Sequence, residues 1–548
     1  MSNDPVVVEV IANRLDEIQR IMKHRLFHTG YSTILRESFD GSAGLTDGNG
    51  RVIVPGMTMH AASYSKMVSA ILTKYAAQIE DGDVFITNDP YRGGTSHTPD
   101  VGVATPVFIS GRLVAFCTSI GHKSDIGGLA PGSVSALSRS VFHEGILVPP
   151  IKLVRRGEEE EGVFALLANN SRAPDLLLGD VRGQVGCTKI GADLLQALAR
   201  EFDLDTILAV MDELVTTSEQ MLRRSIAGLP DGEQEAENFL DGDNVSDEPV
   251  RIHVKVVKEG ERLRLDFSGC SAQTVGPANS VPTPVMSAAV AALVSFLDHR
   301  IPVNQGVLDA IEFIIPEGSC VNPRSPAPVN SYFPTAHLVF NGVLEALGKM
   351  LPERAVSQSG LGLGAVSFGF GGGSVLYELG QTGLGGTADR DGASIVHPVG
   401  TFETITPIEI LETEYPLRVR EFGVRIDSAG AGKHRGGLGY VREYEVLRDC
   451  HIVTRLSARK TNARGIGGGL PPRPPRTVIN RGRPDERMLK GLDVVDLVAG
   501  DTFRLEQSGG AGWGDPRERD RALIEADIAD GFVSDAEAAR LYGYGPQG

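Results

Sequence analysis

The chain has 548 residues, of which 41% are hydrophobic and 22% charged, and its formal net charge is −17. This length predicts two or three domains, and the acidic balance disfavours nucleic acid, whose phosphates call for a basic surface, and anionic membrane surfaces. The longest apolar stretch, Pro284 to Leu297, is broken by Ser287 and Ser295 and falls short of the about 20 residues that a bilayer span needs. The opening "MSNDPVVVEV" lacks the basic start and cleavage site of a secretory signal. Cys117, Cys187, Cys270, Cys320 and Cys450 are odd in number and far apart, with no C-x-x-C. Together these features predict a cytoplasmic protein without a disulfide frame or a thiolate zinc site.

The first predicted element is a helix capped by Asp4, with Pro5 in its first turn and an apolar face at Ile11, Leu15, Ile18, Met22 and Leu26. The Asp-Gly and Asn-Gly pairs of "TDGNGR" predict a hairpin turn. A second helix is expected over Ser63 to Gln78. Next, "VGVATPVFIS" and "RLVAFCTSI" flank Gly111 and read as a second β-hairpin. A turn centred on residues 110 to 112 makes the numbers of paired residues sum to about 222, which sets His122 opposite residues 99 to 101. Asp100 and His122 should therefore meet at the open end of the hairpin, with His97 three residues upstream.

Two long amphipathic helices are expected between Asp175 and Ala227. The segment "GLPDGEQEAENFLDGDN" reads as a domain boundary, and "EEEE" (Glu158 to Glu161) as a solvated loop. Strands follow from "VRIHVKVV", with helices over Met286 to Leu297 and Ala336 to Met350. After Leu361 the chain is glycine-rich and strand-like to about Gln507. "LPPRPPR" reads as a polyproline-like loop, and the end as two short helices split by Gly531, the second capped by Ser534. The fold class expected is α+β and multidomain. A helix-rich N-terminal domain with β-hairpins covers 1–230, a β-rich, Gly-rich domain 231–508, and a helical tail 509–548.

"NDPYRGGTSHTPD" (Asn88 to Asp100) crowds two Asp, one His, two Pro and two Gly into a segment too rigid for a linker. We read it as a preorganised loop delivering His97 and Asp100 to a metal, with Tyr91 and Arg92 at the substrate entrance. Two imidazoles and two carboxylates, from His97, His122, Asp100 and Asp40, suit a divalent transition metal. The hairpin brings three of them together, whereas Asp40 joins only by assumption. The bland alternative is a local turn at His97 and Asp100 with His122 on the surface. His60 precedes a helix and could be a cap, a packed side chain or an acid–base group. Asp125 could orient His122 or start the turn at Gly127, and Glu144 is equally open. "DSAGAGKHRGGLG" contains no phosphate-cradling G-x-x-x-x-G-K-[ST] and reads as a β-turn.

The segments "FITNDPYRGGTSHTPDVGVATPVF", "GHKSDIGGLAPGS", "EGILVPPIKL", "DFSGCSAQTVGPANS", "TPIEILETEYPLRV" and "SGGAGWGDPRERD" resemble, in order, the hydantoinase B/oxoprolinase family. The resemblance implies a metal-binding B-type subunit of an ATP-dependent cyclic-amide hydrolase, part of a hetero-oligomer. A hydantoinase A-like partner would bind ATP and Mg and phosphorylate the substrate oxygen. It places the metal ligands on Asp40, His97, Asp100 and His122, for one divalent ion (Zn, Mn or Fe). His60 or Asp125 could then manage the proton. A subunit of an acetone- or acetophenone-type carboxylase is the alternative, and a scaffold with a structural ion a third. Departures from the family pattern in "NSYFPTAHLVF", "ETITPIE", "SAGAG" and "GGAGWG" are expected to bear on the substrate pocket.

Overall fold

The computed structural model describes residues 4–362, 364–399, 401, 403–456 and 460–545. Helix α1 (Pro5–His28) begins where expected, because the Asp4 carboxylate accepts the Val6 N–H at 2.9 Å. A short helix α2 (Thr33–Arg36) leads to strands β1 (Gly41–Asp47) and β2 (Val52–Val54). Asp47 Oδ1 closes their turn by accepting from Asn49 N and Arg51 N. Helix α3 (Ala61–Tyr75) follows, then β3 (Val84–Thr87), β4 (Asp100–Ile109), β5 (Arg112–His122), β6 (Ile151–Arg155) and β7 (Glu158–Glu159). These strands form one sheet in the order β2-β1-β5-β4-β3-β6-β7.

Both faces of this sheet are covered. Ala115 and Cys117 of β5 join a core with α1 and with the two long helices α5 (Pro174–Glu201) and α6 (Leu204–Ala227), which follow a shorter α4 (Glu161–Asn169). Phe116 and Ile120, pointing the other way by the strand's period of two, pack with Tyr64, Met67, Val68 and Ile71 of α3. The glutamate run is not a plain loop. Glu158 and Glu159 form the edge strand β7, and Glu161 opens α4. Glu159 pairs with Arg182 at 2.9 Å and Glu160 with Arg155 at 2.6 Å, which draws the run onto the surface of the fold.

The segment read as a boundary carries a strand, β8 (Gly232–Leu240). It pairs with β9 (Val250–Glu259), then β10 (Arg262–Asp266) and β11 (Ile311–Ile314). Its alternating exposure leaves Ala236, Asn238 and Leu240 inward, a pattern hidden among its glutamates. Helices α7 (Pro282–Leu297), α8 (Gln305–Asp309) and α9 (Tyr332–Met350) complete this layer. α7 is apolar nearly all round because it is buried in the largest core, against α9 and the sheet.

The remaining strands are β12 (Ala365–Gly371), β13 (Ser374–Glu378), β14 (Leu417–Val424) after helix α10 (Ile408–Glu414), β15 (Tyr440–Val446), β16 (Cys450–Arg455), β17 (Arg476–Ile479), β18 (Arg487–Met488), β19 (Val494–Leu497) and β20 (Thr502–Glu506). They make two sheets, β13-β12-β16-β19 and β14-β15-β20-β17-β18. "DSAGAGKHRGGLG" does connect two paired strands, β14 and β15, but it is no tight turn. Its backbone runs against residues 383–393 and 509–514, through bonds such as Gly430 N to Gly510 O, Trp513 N to His434 O and Gly437 N to Leu384 O. A Cβ on Gly436 would lie 1.9 Å from the Gly510 carbonyl oxygen, so glycine is what permits this backbone-on-backbone packing. Ala431 and Ala511 sit in cores beside this layer, away from the cavity described below. The chain ends in α11 (Arg521–Ala529) and α12 (Asp535–Tyr542), divided at Gly531, with Ser534 Oγ accepting from Glu537 N.

Candidate metal centre

Three adjacent strands put their ends side by side. In the β4–β5 hairpin Asp100 is the register partner of His122. On the other side of β5, Gly41 pairs with Gly121, and the His122 N–H donates to the Asp40 carbonyl at 3.1 Å, which brings Asp40 level with His122. Directly paired residues in a sheet share a face, so Asp40, His122 and Asp100 form a row. Phe39, in the left-handed region at φ 56°, turns the chain into this row.

His97 completes the group. The Asp100 N–H bonds back to the His97 carbonyl at 3.2 Å, closing the loop that starts at Asn88. Asn88 braces that loop with its side chain, donating to the Thr98 and Ile146 carbonyls and accepting from Val148 N. Asp89 accepts from Tyr91 N and Arg92 N. Gly94 lies at φ +79°, where an added Cβ would stand 2.5 Å from Lys66 Cγ. The loop is thus held by the Asn88 and Asp89 bonds as well as by the expected reversal at Gly94, but Tyr91 and Arg92 do not line the cavity. Tyr91 Oη donates to the Ala327 carbonyl at 2.6 Å, and the Arg92 side chain is 77% exposed.

His97 Nε2, Asp100 Oδ1 and His122 Nδ1 make a near-equilateral triangle with edges of 3.0, 3.2 and 3.2 Å. Asp40 Oδ2 stands one step outside it, 3.9 Å from His122 Nδ1. His97 Nδ1 must carry its ring proton, because it lies 2.9 Å from the Asn330 carbonyl, which can only accept. That leaves the lone pair of Nε2 facing the triangle.

These residues fit a divalent ion. Two donors each about 2.1 Å from one ion lie roughly 3.0–3.4 Å apart, which matches the triangle. Asp100 Oδ2 and His122 Nε2 are buried without a hydrogen-bond partner among the described residues, so the cluster is not satisfied by its own contacts. Two imidazole nitrogens with carboxylate oxygens suit zinc, manganese or iron. All three triangle residues are buried, and none is a surface histidine. Burial lowers His122 to about 4. Burial raises Asp100, but the two imidazoles outweigh it and hold its carboxyl below the ordinary range. Burial, with Glu403 and Asp100 nearby, pushes Asp40 well above the usual carboxylate value.

The cluster lies on the wall of a narrow, partly open cavity of about 80 Å³. His60 is on this wall. Its Nδ1 lies 2.6 Å from Ser42 Oγ, which also bonds Tyr64 Oη, and burial lowers its pKa. Among the described residues His60 Nε2 makes no hydrogen bond, so in the tautomer whose Nδ1–H donates to Ser42 Oγ it can accept a proton from the cavity. Asp125 does not reach the cavity and does not orient His122. Its Oδ1 accepts from Gly127 N and Arg172 N, and its Oδ2 from Gly132 N and Arg172 Nη1, which makes it a brace for its own loop. Glu144 has a structural position of a different kind. Its Oε1 accepts the N–H groups of Val329 and Asn330 at 2.9 Å each, and so holds the peptide whose carbonyl orients His97.

Much of the cavity comes from distant parts of the chain. Residues 330–334 of "NSYFPTAHLVF" line it, as do Tyr377, His397, Glu403 and Arg455. Tyr332 packs edge-on to His97 at 4.9 Å between ring centroids, and Tyr377 lies 4.6 Å from the His122 ring. His397 Nδ1 is 3.3 Å from Glu403 Oε2. In "ETITPIE" the departure itself, Ile405, packs against the core of the C-terminal sheets, whereas Glu403 beside it faces the cavity. Tyr377, His397 and Arg455 were not singled out from sequence, and no local pattern marks them. No helix among the described residues is long and apolar enough to cross a membrane.

Residues 4–516 match the family model described as Hydantoinase B/oxoprolinase. A Pseudomonas sp. (strain NS671) protein, named as the B component of a D-/L-hydantoinase, is 31% identical over 98% of this chain and 95% of its own length. The crystal structure of an ATP-dependent caprolactamase from Pseudomonas jessenii superposes with a TM-score of 0.93 at 26% identity, covering 100% of this chain and 97% of that one. A nucleotide-free acetone carboxylase shares the fold, with a TM-score of 0.91 at 18% identity over 99% of this chain and 80% of that one. The match over nearly the whole length, by sequence and by fold, places this chain in the hydantoinase B/oxoprolinase family.

Proposed function

We propose that this chain is the metal-binding B-type subunit of an ATP-dependent cyclic-amide hydrolase, acting on a substrate that an A-type partner has phosphorylated. The observation that carries the reading is the triangle of His97, Asp100 and His122, open on one side to a cavity. A closed set of saturating ligands would have suited a structural ion; an open wall suits chemistry.

An amide carbon is a poor electrophile, and phosphorylation of its oxygen by the partner activates it: water adds to that carbon, the ring C–N bond breaks as the nitrogen takes up a proton, and the acyl phosphate left behind is hydrolysed to carboxylate and inorganic phosphate. His97, Asp100 and His122, with Asp40 beside them, would hold one divalent ion, which supplies Lewis-acid chemistry when bound. His60 would take the proton of the attacking water at Nε2, and the contact of Ser42 Oγ with its Nδ1 supports that role. Met57, Met59, Phe333 and Leu379 give the cavity an apolar side that limits bulk water around the activated carbon.

The test is reconstitution with the A-type, ATP-binding partner. ATP consumption should depend on the cyclic amide, and His97→Ala with His122→Ala should abolish ring opening. Full ring opening by that double variant would remove the reading.

A further inference from the structure

Arg455 is the last residue of β16, paired in register with Ala365 at the start of β12, and it lines the same cavity as the metal cluster. Its guanidinium lies over the Tyr377 ring, 4.9 Å from the centroid, and Tyr377 in turn packs against the His122 ring. Among the described residues Nη2 is buried without a hydrogen-bond partner, and the guanidinium makes neither a hydrogen bond nor an ion pair. This sets it apart from the fully or nearly fully buried arginines Arg442 and Arg519. Arg442 is bonded to Glu378 and the Thr406 carbonyl, and Arg519 to Asp391 and Asp527.

A guanidinium nitrogen buried without a hydrogen-bond acceptor is costly, and contact of the group with an aromatic face offsets only part of that cost. Asp40 and Asp100 act on it through space, yet neither lies within ion-pair reach, and in the proposed function both are committed to the metal side. Its forked N–H groups suit an oxyanion, carboxylate or phosphate, held by two parallel bonds.

We propose that Arg455 is the residue of this cavity that binds an anionic oxygen group of the ligand. The ligand class is thus a small molecule with an apolar body and a carboxylate or phosphoryl group. This deepens the function proposed above and rests on it only for the identity of the cavity. The two sources of the oxyanion are a carboxylate on the ring compound itself and the phosphoryl group added by the partner.

The test is isothermal titration of the full chain, in Mn²⁺-containing buffer, with inorganic phosphate, with butyrate and with neutral butyramide. Wild type is compared with Arg455→Met and Arg455→Lys, and metal content is measured on each sample. Arg455→Met should weaken at least one oxyanion about ten-fold or more, Arg455→Lys should weaken it less, and butyramide should not respond to either change. Loss confined to phosphate assigns the phosphoryl source, and loss confined to butyrate the carboxylate source. Wild-type affinity of Arg455→Met for both anions, equal loss of butyramide, or no oxyanion binding by wild type would overturn the proposal. If Arg455→Met does not fold, Arg455→Gln carries the same comparison. Unchanged metal content in the variants keeps this result separate from any failure of the metal reading.

Discussion

Asp100 and His122 are register partners at the open end of one hairpin, and their facing atoms, Oδ1 and Nδ1, lie 3.2 Å apart. A sheet ladder fixes this spacing before any ion arrives, so little ordering is needed for binding.

Metal content should follow these side chains. Purified wild type should carry about one divalent ion per chain, and His97→Ala or His122→Ala should cut that to under about a tenth. Elemental analysis and thermal unfolding of the same samples would check this. A variant that keeps its full complement of metal would show that the triangle does not hold the ion.

Gly94 should be needed for both the loop and the fold. A side chain there must adopt φ +79° and meets Lys66 Cβ and Cγ at 2.6 and 2.5 Å. Gly94→Ala should cost about 1–2 kcal/mol from the left-handed backbone alone, with the clash adding to it. Urea unfolding gives the cost, and metal analysis shows whether His97 has moved. Stability equal to wild type would mean that the loop relaxes freely.

Glu144 should make stability depend on pH. Burial pushes its carboxyl from 4.5 to about 8, against two backbone N–H bonds that lower it. The folded protein therefore keeps a proton that the unfolded chain releases above its own, lower pKa. Stability from this group is present below about 4.5, is lost as pH rises toward 8, and levels off above it, with a slope of up to about 1.4 kcal/mol per pH unit. Glu144→Gln preserves the acceptor for Val329 and Asn330 and should flatten that dependence. Identical urea midpoints against pH for the two proteins would refute the assignment.

Glu378 should be among the costliest single changes in the C-terminal sheets. It accepts from Arg442 Nη1 at 2.8 Å and from Tyr444 Oη at 3.0 Å, and Arg442 is fully buried. Glu378→Ala strands that guanidinium and should destabilise by about 3–5 kcal/mol, whereas Glu378→Leu with Arg442→Met should cost less. A double-mutant cycle by denaturant unfolding measures the difference. A single variant no worse than the double would show that the pair is not coupled.

Local rules were enough for part of this molecule. Turn position and the two-residue strand period determined that Asp100 faces His122, and apolar spacing determined α1, α5, α6 and α9, because both signals lie within one hairpin or one helix. The family resemblance singled out Asp40, whose place in the row comes from β1 pairing with β5 rather than from anything near it in sequence. The tertiary structure alone decided the rest. Tyr377 and Arg455 reach the cavity from strands more than 250 residues beyond His122, and nothing local in a strand residue says which cavity its sheet will meet. Asp125 shows the converse. Three residues from His122, it could by sequence orient that histidine or start the turn at Gly127, and it does the second: Gly127 N is one of three backbone N–H groups that, with Arg172, claim both its oxygens. A buried carboxylate goes to whichever donors the fold brings within hydrogen-bond reach, and proximity along the chain does not set which those are.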